Sequence, residues 1–194
     1  RMPEAESEVL EINPEVVSIA RRFFQVPASD QRFTIRVCDG AEFVAREGPG
    51  YDTILVDGYD GDCLVEALSS RVFFRACLRR LNVHGVLVVN LWGSDRKFND
   101  YVQRIEAEFP AGTLCMPAEK PGNIAIFAFR DPPGNPRWDE LEARANELEA
   151  GYRLEFGKFV KGLRKMNRCD DERLYVSGEA GSVAAGPHPA PPGL

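Results

Sequence analysis

YDTILVDGYDGD, residues 51–62, decides how this chain is read. Its first half, DTILV at 52–56, is a nearly continuous apolar run, the pattern of a strand covered on both faces. Its second half places Asp57, Asp60 and Asp62 directly behind that strand. Carboxylates so concentrated repel one another, and a bound cation or a proton relieves the repulsion. Magnesium and a protonated amine are both candidate cations. The plain alternative is a solvated acidic loop capping a helix that starts at Leu64.

Working outward, the neighbouring segments alternate strand and helix. SEVLEI at 7–12 leads through Asn13-Pro14 to a helix over 15–24, with Pro14 at the first helical position, where its missing N–H costs nothing. FTIRV at 33–37 is followed by Asp39-Gly40 and a helix over 41–46. After residue 62 a helical stretch runs over 64–81, a turn over 82–85, and VLVVNL at 86–91 forms the next strand. A helix over 96–109 and strands at 113–116 and 124–129 follow, the last two joined by a turn at Pro121-Gly122-Asn123. This order predicts an α/β fold whose parallel sheet ends in an antiparallel pair. From Trp138 apolar residues recur every three or four positions, giving one long amphipathic helix or two. The predicted division is a catalytic domain at 1–133, a helical extension at 134–176, and a Gly, Ala and Pro tail at 177–194 expected to be disordered.

Composition narrows the function classes. The 194 residues suffice for one good core, and 44% hydrophobic with 28% charged residues excludes a wholly disordered chain. A net charge of −6 disfavours nucleic acid as a partner. No apolar run reaches membrane-spanning length, and the polar N-terminus does not read as a signal peptide. Five cysteines (38, 63, 77, 115 and 169) lack any C-x-x-C pair, and the histidines are His84 and His188. That supply does not make a zinc site, so no metal is expected, and the thiols read as reduced in a cytoplasmic protein.

In a doubly wound sheet, ligands bind at the carboxyl ends of the strands. Acids stand at three such ends: Glu11, Asp39 and Asp57. A carboxylate there matches a ribose diol, its two oxygens accepting two hydroxyl hydrogen bonds. The structural alternatives are a helix-start acid for Glu11 and a helix cap for Asp39.

LEINPEVVSIARRFF, CDGAEFV, YDTILVDGYDGD and HGVLVVNLW, in this order and spacing over residues 3 to 130, resemble the spermidine synthase family of polyamine aminopropyltransferases, especially its shorter bacterial members. The resemblance implies a Rossmann-like, methyltransferase-type fold. It implies transfer of an aminopropyl group from decarboxylated S-adenosylmethionine to a diamine such as putrescine, with release of methylthioadenosine. It assigns ribose binding to Glu11, the place beside adenine to Asp39 and Gly40, and the catalytic acid to Asp57. Asp60 is at the family spacing for the second acid, which would hold the cationic amine in line, and Tyr59 between them would form a pocket wall. A carboxylate is also a fitting general base, since the amine must lose a proton before it attacks the carbon beside a sulfonium.

Two departures stand against this pattern. The family loop reads Asp, two Ser or Thr, then Asp-Pro, whereas here it is Asp57-Gly58-Tyr59-Asp60-Gly61, so the amine pocket differs. The family's first strand, glycine-rich loop and N-terminal β-hairpin domain have no counterpart here, and no G-x-G-x-x-G occurs. Strands 7–12 and 52–56 would then have unpaired edges. The sequence therefore reads as a fragment, with another segment or chain filling the gap as the alternative.

Asn90 and Trp92, at the end of VLVVNLW, line the ligand side or, for Trp92, fill the core. His84 falls in an exposed turn and is read as non-catalytic. The apolar stripe after 138 packs on its own domain or forms a dimer interface, dimers being common in the family. The basic face of Lys158, Lys161, Arg164, Lys165 and Arg168 reads as solvated. Two other functions stay open on the same fold: methyl transfer from S-adenosylmethionine, and a non-catalytic binding module.

Overall fold

The computed structural model describes residues 4–60, 63–118 and 122–176, without the side chains of Asp60 and Cys63. The expected tail at 177–194, Asp62, and Pro121 of the expected turn lie outside the described residues. The chain divides into two compact units, Arg1–Glu47 and Gly48–Leu194.

The first unit is a strand–helix–strand followed by a short helix. Strand β1 (Ser7–Glu11) pairs in parallel with β2 (Phe33–Val37), in register from Ser7 opposite Phe33 to Glu11 opposite Val37. Helix α1 (Pro14–Phe23) connects them and packs on both. Its start is set locally: Pro14 occupies the first turn, and the Asn13 side chain accepts the Glu15 N–H at 2.9 Å. Helix α2 (Gly40–Ala45) begins at the Asp39 cap. Arg36 of β2 forms an ion pair with Glu8 of β1.

The second unit holds a four-stranded sheet in the order β3-β6-β8-β7: β3 (Tyr51–Val56), β6 (Leu81–Trp92), β7 (Thr113–Pro117) and β8 (Asn123–Phe129). β3 and β6 are parallel, and β8 runs antiparallel to both β6 and β7. The expected antiparallel end is observed, but the parallel part of this sheet is, among the described residues, the single pair β3–β6, because β1 and β2 form a separate two-stranded parallel sheet. Between β3 and β6 come a two-residue hairpin, β4 (Tyr59–Asp60) with β5 (Cys63–Leu64), a 3₁₀ turn at Glu66–Leu68, and helix α3 (Arg71–Arg80). Helix α4 (Phe98–Glu108) packs on α3.

Period-two burial along β8 shows how the sheet is filled. Ile124, Ile126 and Ala128 are buried with Leu87, Val89 and Leu91 of β6, Phe74 and Cys77 of α3, and Ile105 of α4. Phe127 and Phe129 alternate with them and pack against Leu114, Trp138, Leu174 and Val176. Helices α5 (Trp138–Tyr152) and α6 (Phe156–Met166) supply that second layer. The apolar pattern after 138 is thus two helices, separated where Arg153 takes a left-handed conformation (φ 57°). The strand β7 has no strand on its outer side among the described residues; instead Asn167 accepts the Cys115 N–H and donates to the Cys115 carbonyl, both at 2.7 Å.

Several expectations need correction. The helix expected over 64–81 starts at Arg71, where Ser70 accepts the Phe73 N–H at 3.2 Å; Leu64 is instead a buried strand residue. The segment after Asp57 is therefore a hairpin and not an acidic loop capping a helix from Leu64. The turn expected at 82–85 lies inside β6 as an irregularity: Tyr51 pairs with Leu81 but Thr53 with Val86. His84 there has φ 63° and donates its N–H to Asp131 at 2.9 Å, while a Cβ on Gly85 would come within 2.8 Å of the Asn82 carbonyl oxygen. Trp92, weighed as a core residue, is 52% exposed. The basic face, by contrast, is as expected: Lys158, Lys161, Arg164, Lys165 and Arg168 are all exposed, with the Arg164 guanidinium 4.3 Å from the Trp138 ring centre.

Candidate active site

In the second unit, chemistry gathers at the carboxyl ends of β3 and β6. Val56 is opposite Val89, so Asp57 and Asn90 are the next residues on two neighbouring parallel strands. The Asn90 amide donates to Asp57 Oδ1 at 3.0 Å, and Asp57 is otherwise exposed. Two residues on, the β4–β5 hairpin places Tyr59 opposite Leu64. The Trp92 N–H donates to the Tyr59 hydroxyl at 2.6 Å, tying the hairpin to the end of β6. The loop is held from the other side by the Val65 N–H, which donates to the Gly58 carbonyl at 2.9 Å. A Cβ at Gly58 would come within 2.3 Å of a Leu68 methyl, so a Ser or Thr there would force Leu68 to shift.

Burial pushes the Tyr59 phenol above its ordinary value; the Trp92 N–H opposes this, while the charges of Asp95 and Asp57 add to it. Tyr59 is therefore a neutral hydroxyl near pH 7, accepting the Trp92 N–H and retaining its own proton. The Asp60 backbone follows in β4, opposite Cys63; its side chain is outside the described part of the structure.

In the first unit, Glu11 and Asp39 come together at the ends of paired strands. The Cys38 N–H donates to the Glu11 carbonyl at 3.0 Å, so the β-pairing continues to the residue before Asp39. Glu11 Oε1 accepts the Asn13 N–H at 2.8 Å. Asp39 Oδ1 accepts the N–H groups of Ala41 and Glu42 at 2.7 and 3.0 Å, and Gly40 is the first residue of α2. Asp39 is thus the helix cap raised as its structural alternative, whereas Glu11 ends β1 and the acid in the first turn of α1 is Glu15; Glu11 and Asp39 each use a single carboxylate oxygen in these bonds. Among the described residues, no group of three or more His, Cys, Asp or Glu gathers as metal ligands. His84 is exposed and lies in the β6 irregularity, and burial pushes the Cys77 thiol up to about 12. The residue sequence reasoning undervalued is Asn90, whose bond to Asp57 follows only from the strand register.

Comparison with known proteins decides the family. The spermine/spermidine synthase domain model matches residues 4–111. This chain belongs to that family. A polyamine aminopropyltransferase of Chromobacterium violaceum is 40% identical over 175 residues, covering 90% of this chain and 67% of the relative. The spermidine synthase of Thermotoga maritima superposes with a TM-score of 0.53 at 22% identity, over 66% of this chain and 47% of that one. Human methyltransferase-like protein 13, in complex with SAH, gives 0.65 at 23% identity, over 87% and 76%. These likenesses show the Rossmann-like fold shared by aminopropyl- and methyltransferases. The chain spans two thirds of the Chromobacterium relative's length and under half of the Thermotoga structure's.

Proposed function

We propose that the protein is an aminopropyltransferase that moves an aminopropyl group from decarboxylated S-adenosylmethionine to a small diamine such as putrescine, releasing methylthioadenosine. The observation that carries this is the Asp57 carboxylate, exposed at the end of β3 with one oxygen held by Asn90 at 3.0 Å. Family membership supports it, and so does the neighbouring Tyr59 hydroxyl. Asp57 takes a proton from the attacking ammonium, leaving a lone pair on nitrogen. The new N–C bond forms at the methylene beside the sulfonium. The C–S bond breaks, its electron pair stays on sulfur, and methylthioadenosine leaves as a neutral thioether.

Asp60 and Tyr59 orient the amine, Glu11 binds the ribose hydroxyls, and Asp39 with Gly40 lies beside adenine. No metal takes part in this reading, and S-adenosylmethionine is the alternative donor only if methyl transfer is the chemistry. The reading also takes the protein as cytoplasmic and as a homodimer, with neither nucleic acid nor membrane as a partner. Exposed Tyr152, Leu154 and Phe159 around the α5–α6 junction support the dimer. The limits 1–133, 134–176 and 177–194 are kept as its domain proposal, with α5 and α6 packed on the sheet of the second unit.

Product analysis by mass spectrometry tests the function. Full-length protein is incubated with decarboxylated S-adenosylmethionine and a panel of diamines, and separately with S-adenosylmethionine. Methylthioadenosine formed only when an amine is present is the expected result, and the mass gain names the acceptor. S-adenosylhomocysteine instead would establish a methyltransferase and overturn the proposal. Asp57→Asn is expected to abolish turnover while leaving methylthioadenosine binding nearly intact, and surviving activity would refute the general base. Glu11→Ala is expected to weaken methylthioadenosine binding in calorimetry.

A further inference from the structure

We infer that Asn90 is a positioning residue for the Asp57 carboxylate, selecting Oδ2 as the oxygen that receives the amine proton. This rests on the aminopropyltransferase reading, in which Asp57 is the base. The placement follows from the sheet: Val56 and Val89 are paired, so the next residues, Asp57 and Asn90, leave adjacent strands side by side. Asn90 is itself fixed by β8, where it pairs with Ala125. An ionised carboxylate accepts hydrogen bonds and donates none, so the amide must present Nδ2, as it does at 3.0 Å from Oδ1. With Oδ1 engaged, rotation of the exposed carboxylate is restrained and Oδ2 is presented for proton transfer. The neighbouring contact from the Trp92 N–H to the Tyr59 hydroxyl, at 2.6 Å, ties the same loop to the same strand end. The loop is thus held by the more deeply buried strand, which gives a catalytic carboxylate a rigid support.

The experiment compares Asn90→Ala, Asn90→Gln and Asn90→Asp with Asp57→Asn in the full-length protein, measuring kcat, diamine KM and the pH–rate profile. Asn90→Ala should lower kcat about tenfold with little change in KM or in methylthioadenosine affinity. Asn90→Gln keeps the donor and should recover part of that loss. Asn90→Asp replaces the donor with a second carboxylate, and the acid limb of the profile should move to higher pH. A residue that only supported the fold would lower thermal stability without moving that limb. If Asp57→Asn is inactive while Asn90→Ala and Asn90→Asp keep the wild-type kcat and profile, the positioning role is refuted and the function stands. If Asp57→Asn retains turnover, the base assignment itself fails.

Discussion

β1–α1–β2 and β3–α3–β6 are the same device, a parallel strand pair joined through a helix, yet they are held together differently. In the first, Val17 and Val44 are the buried apolar side chains among the described residues of the unit, while Ile12, Val16, Ile19, Phe23 and Val37 are exposed. Local groups start its helices, Asn13 and Pro14 for α1 and Asp39 for α2, while the Glu8–Arg36 ion pair joins its two strands across 28 residues. In the second, α3 buries Phe73, Phe74, Ala76 and Cys77, and β6 buries Leu87, Val89 and Leu91. Burial is the larger stabilising effect per residue, whereas caps and exposed ion pairs contribute about 1 kcal/mol or less. The helix starts of the first unit are thus set by signals a few residues apart, whereas the helix and strand of the second are held by buried side chains far apart in sequence.

The largest expected effect tests that contrast at its strongest. Phe74 is fully buried, so Phe74→Ala should cost about 3–5 kcal/mol through lost transfer energy and a residual cavity. Val17→Ala, which removes two methyl groups from an 8% exposed side chain, should cost about 1.5 kcal/mol. Urea denaturation of both variants measures the difference, and equal losses would erase the contrast.

Glu108 carries the next effect. It is 7% exposed, and its carboxyl is held below the usual glutamate range by the Arg75 hydrogen bond, with Arg71 adding to it; the two contacts are each 2.8 Å. A carboxyl whose value is depressed on folding stabilises the protein above its unfolded value, about 4.3. That contribution is lost as pH falls through the lower folded value. Glu108→Gln should therefore reduce Tm by a few degrees at neutral pH, and the gap from wild type should close in acid. A gap that stayed constant with pH would show that the charge is not what Glu108 contributes.

How much was legible in the sequence divides the same way. The start of α1 was legible to within a residue because Asn13 and Pro14 act on their own neighbours. The start of α3 was not, because nothing local to Leu64 reveals that β5 and the core bury it. His84 was legible as a turn-like position, but its N–H is held by Asp131, 47 residues away, and the turn became an irregularity within β6. At the candidate site, Asp57 stood out because a strand of apolar residues ends directly before it. Asn90 did not, since the relation between the two needs the pairing of Val56 with Val89. Family resemblance supplied roles that physical reading of single residues left open, above all for Glu11 and Asp39, each of which also has a local structural use.

Asp39 offers the smallest and sharpest test, because cap and ligand contact can be separated by chemistry. Its Oδ1 receives the Ala41 and Glu42 N–H groups, so Asp39→Ala should cost about 1 kcal/mol and also weaken methylthioadenosine binding. Asp39→Ser keeps a side-chain oxygen able to accept the same N–H groups but removes the carboxylate. If Asp39 serves both the helix and the nucleoside, Asp39→Ser should leave stability within about 0.5 kcal/mol of wild type, serine being nearly as good a cap. Its methylthioadenosine affinity should nevertheless fall as far as that of Asp39→Ala. Calorimetry beside urea denaturation reads both quantities on the same samples. Wild-type affinity in Asp39→Ser would reduce Asp39 to a helix cap, and the first unit would then owe this residue its local order alone.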